Sequence, residues 1–190
     1  MLKHAFKEWA AVVQALARGE QSLILRKGGI AEEDGEFRLE HRRFWLFPIY
    51  LHQNRVKLKA DAWPLLDQAL AQRPPDGLVR LTHFAEVTGV YDAHDVAGVL
   101  RLDPLHVWTE AAVTARFAYR RPGLLVLPVR VYQAAETFEL PETPYYAGCK
   151  SWVELAQALP TAGAVPVLDD DAYRDAQRTL ELLLQPDALA

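Results

Sequence analysis

The chain has 190 residues, of which 51% are hydrophobic, so it can bury the core of one domain. It contains no apolar run of about eighteen residues, and the sequence therefore predicts no membrane span. The single cysteine, Cys149, excludes an intramolecular disulfide and a cysteine-based zinc cage. Charges interrupt the first twenty residues, which lack the architecture of a signal peptide, and we expect a reduced, cytoplasmic protein.

The net charge of −4 argues against an indiscriminate nucleic-acid binder. Its distribution is uneven: residues 1–60 carry a net +4 and 101–133 a net +3, whereas 61–100 carry −4 and 134–190 carry −7. Two basic blocks form an electrostatic footprint for an anion if they fold onto one face. The alternative interpretation is ordinary solvated surface.

The first elements follow from apolar spacing. Residues 6–19 have helical periodicity that ends at Gly19, and a short strand is predicted over 22–27. The stretch 36–50 indicates one long strand or two short ones, with Pro48 ending the pairing or marking an edge. Its large apolar residues are expected to supply core on both faces of the sheet.

The remaining elements alternate irregularly between helix and strand. In chain order they are a helix over 60–72, a loop over 73–77, a strand over 78–92, helices over 93–102 and 108–120, a strand over 124–133 and helices over 151–159 and 169–185. Thr109 is the predicted N-cap of the helix over 108–120, and Ser151 with Glu154 resembles a capping box. This order predicts an α+β fold with a mixed or barrel-like small sheet. We expect one domain over 1–160 and a helical extension over 161–190 packed on it.

The segment 37–53 contains the residues best suited to acid–base chemistry. His41 and His52 have side chains that titrate near neutrality, and Glu40 precedes the first of them. The two histidines can share a site only if the chain folds back at Pro48, which we expect. The alternative is that each histidine makes a hydrogen bond at a strand end. No tight spacing supports a metal site, and the sequence identifies no cofactor.

Two further positions favour anion binding. Arg116 lies off the apolar face of its predicted helix, available for phosphate or for a surface salt bridge. Lys150 precedes a predicted helix N-terminus, whose free N–H groups attract anions, and Cys149 beside it would have a lowered pKa. Structural capping alone is the alternative there. Trp108 is either core or a base-stacking platform.

Several segments together resemble the bacterial family known as domain of unknown function 1802. They are RKGGI, EH, FP-x-Y-x-HQ, WT and GCKSW, and the match covers most of residues 2–156. The family has no established activity. Its association with restriction-endonuclease-like domains implies a role in nucleic-acid metabolism.

The helix–glycine–strand segment around Gly19 is similar to the ASCH group of PUA-like β-barrels, modules associated with RNA. The group's signature falls on Gly19, Gln21, Ile24 and Arg26, of which the glycine and the arginine match. The lysine and glutamate that would carry catalysis are missing, which leaves that chemistry in doubt. The resemblance implies that Arg26 and Lys27 lie at a barrel mouth and contact an anionic ligand.

Three functional hypotheses follow. The first is recognition of a nucleic acid or nucleotide-like anion, with candidate contacts from Arg26, Lys27, Arg42, Arg43, Tyr50, Gln53, Trp108, Arg116 and Lys150 and from the two histidines. The second is a phosphodiesterase-type hydrolase using Glu40, His41 and His52. The third is a non-enzymatic subunit whose acidic C-terminal helix docks to a protein partner.

Overall fold

The computed structural model describes residues 1–27, 38–148 and 150–184. Within these ranges the strands are β1 (Leu2–Trp9), β2 (Leu23–Arg26), β3 (Arg43–Ile49), β4 (Leu78–Val87), β5 (Tyr91–Ala93), β6 (Leu124–Pro141), β7 (Trp152–Leu159) and β8 (Val165–Pro166). The α-helices are α1 (Ala10–Ala17), α2 (Trp63–Ala71), α3 (Val96–Arg101), α4 (Glu110–Ala118) and α5 (Asp170–Leu184). None of these helices is long and apolar enough to cross a membrane.

The strands form one mixed sheet in the order β2-β6-β4-β3-β1-β7, with β5 and β8 both paired to β6. The pair β1–β3 is parallel, and the others are antiparallel. The 18-residue β6 pairs with β2 and β5 near its start and with β4 and β8 further along. With the helices packed around this sheet, the predicted α+β class is confirmed.

The core lies on both sides of β3, as the sequence predicted. Successive side chains of a strand point to opposite faces. Phe44 and Leu46 join one buried cluster, which also contains residues of the helices, whereas Trp45 and Phe47 join a second cluster with Leu155 of β7. The apolar run therefore reflects a strand covered on both faces.

Two predicted helical segments are strands. Residues 6–9 belong to β1, and the helix begins only at Ala10. The helix over 151–159 was also wrong, because β7 pairs antiparallel with β1 and alternates the buried Val153 and Leu155 with exposed neighbours. Ladder hydrogen bonds and burial of alternate side chains override the local capping-box pattern. The helix N-terminus expected after Ser151 therefore does not exist.

The fold-back expected at Pro48 was wrong too. β3 runs without interruption from Arg43 to Ile49. Pairing with β4 ends at Trp45, so Pro48 lies where only β1 is beside it. A missing N–H is tolerated at such a position, and the strand has no reason to turn there.

Helix α5 contacts the sheet and α3 through specific groups. The hydroxyls of Tyr173 and Thr88 are 2.7 Å apart, and Leu180 is buried. The Nε of Arg101 donates to the carbonyl of Leu183 at 3.0 Å. These contacts hold the described part of α5 against the rest of the chain.

Candidate anion-binding site

Glu8 supplies a buried carboxylate at the end of β1. The residue is 2% exposed, and its Oε1 accepts a hydrogen bond from the backbone N–H of Trp9 at 2.8 Å. A carboxylate removed from water is retained as a charge only where cations and N–H groups replace its hydration. The buried Glu8 carboxylate therefore requires cationic partners beside it.

Arg26, the last residue of β2, supplies one such cation. Its guanidinium lies 3.5 Å from the Glu8 carboxylate, donates to Ser151 Oγ at 2.8 Å, and sits 4.6 Å from the ring centre of Phe6. β2 and β7 are the outer strands of the sheet order, and Ser151 immediately precedes β7. The Arg26 side chain therefore links the end of β2 to the start of β7, the two outer strands of the sheet order.

Arg116 supplies a second guanidinium from α4. The predicted cap is confirmed, since Thr109 Oγ1 accepts from the N–H of Ala112 and starts the helix. Val113 and Phe117 bury one face of α4, and Arg116 lies partly buried beside Phe117. This packing positions the Arg116 guanidinium beside β2.

The Arg116 guanidinium lies over the Trp108 ring, with the Glu8 carboxylate and the Arg26 guanidinium as its charged neighbours. Its centre is 4.0 Å from the Trp108 ring centre, and its one hydrogen bond to a described residue goes to the carbonyl of Leu25 at 3.2 Å. Burial lowers the pKa of Arg116, the Glu8 charge raises this pKa, and the Arg26 charge lowers it again. The group stays protonated, but its charge is compensated only in part. We call Glu8, Arg26 and Arg116 the guanidinium cluster.

Aromatic and amide groups extend the cluster at the start of α1. The rings of Trp9 and Trp108 are 4.8 Å apart. The side-chain oxygen of Gln53 accepts from the N–H of Ala11 at 3.0 Å, which places Gln53 at the helix start. Its Nε2 is buried and has no hydrogen-bond partner within the described part of the chain. Gln53 therefore lies at the start of α1, where the preceding residue, Trp9, contacts Trp108.

The other end of β1 carries an aromatic row. His4 and His41 stack with ring centres 3.5 Å apart, and Trp152 meets the His41 ring edge-on at 5.3 Å. Trp152 also contacts Phe6 at 4.9 Å, and Phe6 lies under Arg26. Burial lowers the pKa of His41, as does the adjacent His4, whereas Glu40 and Glu154 raise it. Contacts therefore continue from the histidine pair to the guanidinium cluster.

The predicted acid–base trio is not assembled. His41 precedes β3 and His52 follows it, so the seven residues of β3 separate them by roughly 20 Å. His52 is exposed with a φ of 60°, and the exposed Glu40 lies 4.0 Å from His41. Within the described ranges, no group of three or more His, Cys, Asp or Glu residues could hold a metal ion.

The structure assigns Lys27 to the turn that follows α4. Its ammonium donates to the carbonyls of Phe117 at 3.2 Å and Gly123 at 2.7 Å, and also to that of Arg121. These three acceptors use the donors of the ammonium group. Lys27 is thus a structural cation beside the guanidinium cluster.

The other predicted basic contacts lie apart from the cluster. Arg42 is exposed, and Arg43 pairs with Glu86 at 3.6 Å. The ammonium of Lys150 lies 3.6 Å from the ring centre of Tyr145. The Tyr50 ring has the Arg73 guanidinium over it, 5.5 Å from the ring centre. Cys149 lies outside the described residues.

Sequence reasoning missed Glu8, although a signal for it was present. In residues 2–9, His4, Phe6 and Glu8 recur at every second position, which is the period of a strand. The helix predicted over 6–19 overlaps this segment and concealed the pattern. A buried glutamate on a strand predicts a cationic partner, but its identity depends on which distant residues the fold brings near.

Comparisons with known proteins place the chain in a family. The family model of the domain of unknown function DUF1802 matches residues 5–179, so the chain belongs to this family, as its sequence motifs predicted. A search of curated proteins finds no match. Among solved structures, the chain is similar to a serine-to-alanine mutant of ZmASCH from Zymomonas mobilis, with 13% identity and a TM-score of 0.42. The match covers 67% of this chain and 66% of that one, just under two thirds, and this level of likeness carries no argument about function.

Proposed function

We propose that this member of the DUF1802 family binds a nucleotide-like anion or single-stranded nucleic acid at the guanidinium cluster. The observation that carries the proposal is the state of Arg116. Its guanidinium is partly buried, stacked on Trp108, and makes one hydrogen bond, to a carbonyl, among the described residues. A guanidinium in that state has N–H donors left for a phosphate, which it contacts with two parallel bonds.

Charge in the cluster supports an anion as the ligand. Both oxygens of Glu8 have partners, one in the Trp9 N–H and the other in Arg26. Arg116 is attracted by the Glu8 charge and repelled by the Arg26 charge. Two guanidiniums thus share one carboxylate, and a phosphate placed against Arg116 meets the net positive charge of the cluster in a partly desolvated position, where charge interactions are stronger than in water.

The aromatic residues beside the cluster favour a nucleotide over inorganic phosphate. Partly exposed rings lie on either side of it: Trp9 near Arg116, and Trp152 with His41 beyond Phe6. Every nucleobase has a face that stacks on such rings, and stacking adds about 1–3 kcal/mol per base. Arg116 can thus bind the phosphate of a nucleotide while one of these rings stacks on its base.

Intrinsic tryptophan fluorescence tests the proposal with AMP, because Trp108 and Trp9 lie at the cluster. Labelled single-stranded RNA and DNA of about 12 nucleotides, and the matching duplexes, test polymers by anisotropy. We expect Arg116→Gln to weaken binding at least about tenfold, since a hydrogen bond to a charged group contributes about 1.5–3 kcal/mol. Affinity should also fall steeply between about 50 and about 200 mM salt.

The matched control is Arg178→Gln, which removes the same charge from an exposed side chain of α5 that pairs with Asp175. This variant should bind like the wild type. Equal losses of affinity in Arg116→Gln and Arg178→Gln would show that the effect depends on the net charge of the protein and not on the position of Arg116. Absence of binding to every polymer at low salt would restrict the function to small nucleotides, and absence of AMP binding as well would refute it.

A further inference from the structure

The turn after α4 presents an exposed aromatic ring and an arginine together. Tyr119 is 44% exposed, and the Arg120 guanidinium lies 5.3 Å from its ring centre. Arg120 has a φ of 61°, a conformation that glycine adopts without strain and that other residues rarely adopt. Backbone geometry alone therefore does not account for an arginine at this position. We call residues 119–123 the arginine turn.

Hydrogen bonds from Lys27 hold the backbone of the arginine turn. The ammonium binds the carbonyls of Arg121 and Gly123 within the turn and that of Phe117 just before it. The turn also closes on itself, because the N–H of Gly123 donates to the Phe117 carbonyl at 3.1 Å. Tyr119 and Arg120 are thus displayed on a fixed backbone, which lowers the ordering cost of binding.

Two chain segments connect the arginine turn to the guanidinium cluster. Lys27 directly follows Arg26, so consecutive residues of one segment contact the turn and the cluster. The Lys27 ammonium also binds the carbonyl of Phe117, the residue after Arg116, so the turn is held beside both guanidiniums of the cluster. A strand that places one phosphate on Arg116 therefore has the turn next to it along the chain.

The charges around the turn favour the same ligand. Burial lowers the pKa of Lys27, the charge of Arg121 lowers it further, and Asp92 acts in the opposite direction. Arg120 adds another cation, whose recorded contact in the described chain is the Tyr119 ring. A ring that stacks a base beside a cation that contacts phosphate is the combination found in surfaces that bind single strands.

We propose that the arginine turn is a second contact for a single-stranded nucleic acid, with Arg120 on a phosphate and Tyr119 against a base. The inference rests on the proposed function in that the same strand occupies the guanidinium cluster. A structural alternative is that the arginines interact with the negative C-terminal end of α4. If the turn contacts nucleic acid, substitutions in it weaken oligonucleotide binding. If the arginines only interact with the helix end, the substitutions lower the melting temperature and leave oligonucleotide binding unchanged.

The test compares AMP with a labelled single strand of about 12 nucleotides in Arg120→Gln and Tyr119→Ala, with Arg178→Gln as control. We expect each turn variant to bind the oligonucleotide at least about fivefold more weakly, and Arg120→Gln to reduce the salt slope by about 1. AMP binding should be unchanged in both, because one nucleotide fills only the cluster.

Unchanged oligonucleotide binding in both variants would overturn the inference, and a lowered melting temperature would then assign the arginine to the helix dipole. Equal losses for AMP and the oligonucleotide would also overturn it. If the oligonucleotide binds and requires Arg120 but is unaffected by Arg116→Gln, the turn is supported and the cluster proposal fails. If the wild type binds neither ligand, both proposals are wrong.

Discussion

Two buried polar sites beside Trp108 show how differently the fold treats titratable groups. In the guanidinium cluster, the Glu8 side chain is 2% exposed and lies 3.5 Å from the Arg26 guanidinium, and both charges act on Arg116. His106, 4% exposed, loses its charge, because burial lowers its pKa to about 4. Its Nδ1 accepts from the N–H of Trp108 at 3.3 Å, so the neutral ring serves the backbone. The buried Glu8 has an opposite charge beside it, whereas burial and the nearby Lys59 charge both lower the pKa of His106.

The two sites also differ in what their polar atoms contact. The cluster contains the Arg116 guanidinium, which makes one hydrogen bond to a described residue, to the carbonyl of Leu25. His106 Nδ1 and Gln21 Oε1 accept the backbone N–H groups of Trp108 and Val107, whereas His106 Nε2 is buried with no hydrogen-bond partner among the described residues. The same burial therefore has two outcomes, which can be tested by changing the charge on each side.

Removing the carboxylate from the cluster should have the largest effect. Glu8→Ala leaves two guanidiniums without their shared anion, and we expect the free energy of unfolding to fall by about 3–5 kcal/mol. Urea denaturation at pH 7 measures this loss. Glu20→Ala, which removes an exposed carboxylate paired with Arg18, is the matched control. A loss no larger than that of the control would mean that Glu8 does not anchor the cluster.

If Glu8→Ala does not fold, Glu8→Gln keeps the acceptor for the Trp9 N–H and removes the charge alone. Inorganic phosphate should restore part of its lost stability, since an added anion replaces the missing one. Chloride at equal ionic strength is the control for general screening.

The second largest effect on stability should come from acidification, acting on His106. Its pKa is lowered in the folded state, so this contribution is present above the unfolded pKa of about 6.5 and is lost as the pH falls towards about 4. Between pH 7 and pH 5, we expect a loss of about 2 kcal/mol from this residue. The difference in unfolding free energy between those pH values should shrink in His106→Gln. An unchanged difference would assign the pH dependence to other groups, such as His83, whose pKa burial also lowers to about 4.

Arg116→Gln should change stability least. The substitution removes the burial cost of a charge and the repulsion with Arg26, and it loses the attraction to Glu8 and the hydrogen bond to Leu25. These effects oppose one another, so we expect a net change below about 1 kcal/mol. A loss of several kcal/mol would show that Arg116 supports the fold and would weaken its assignment to ligand binding.

The sequence predicts the elements that depend on local signals. Thr109 caps α4 through its own side chain, and the apolar run around Trp45 becomes a strand covered on both faces. The helix predicted over 151–159 was wrong because the start of the segment, Ser151 with Glu154, resembles a capping box, whereas its conformation is decided by pairing with β1.

The cluster itself could not be read from local patterns. Its contacts join residues 91 positions apart between Arg116 and Leu25, and 125 positions apart between Arg26 and Ser151. No periodicity encodes such distances, since they arise when the sheet curves and α4 packs on it. The sequence did select Arg26 and Arg116 as anion contacts, but it gave no reason for them to meet at Glu8.

The most direct measurement follows the Arg116 guanidinium itself. In a ¹⁵N-labelled protein, its Nε–H resonance can be assigned by comparison with Arg116→Gln and followed while AMP is added. The account predicts a saturable shift of this resonance with AMP, with no comparable shift for Arg178, whose side chain is 75% exposed on α5. An Arg116 resonance that does not move in a folded protein, at AMP concentrations up to the millimolar range, would contradict the assignment of the guanidinium cluster as an anion-binding site.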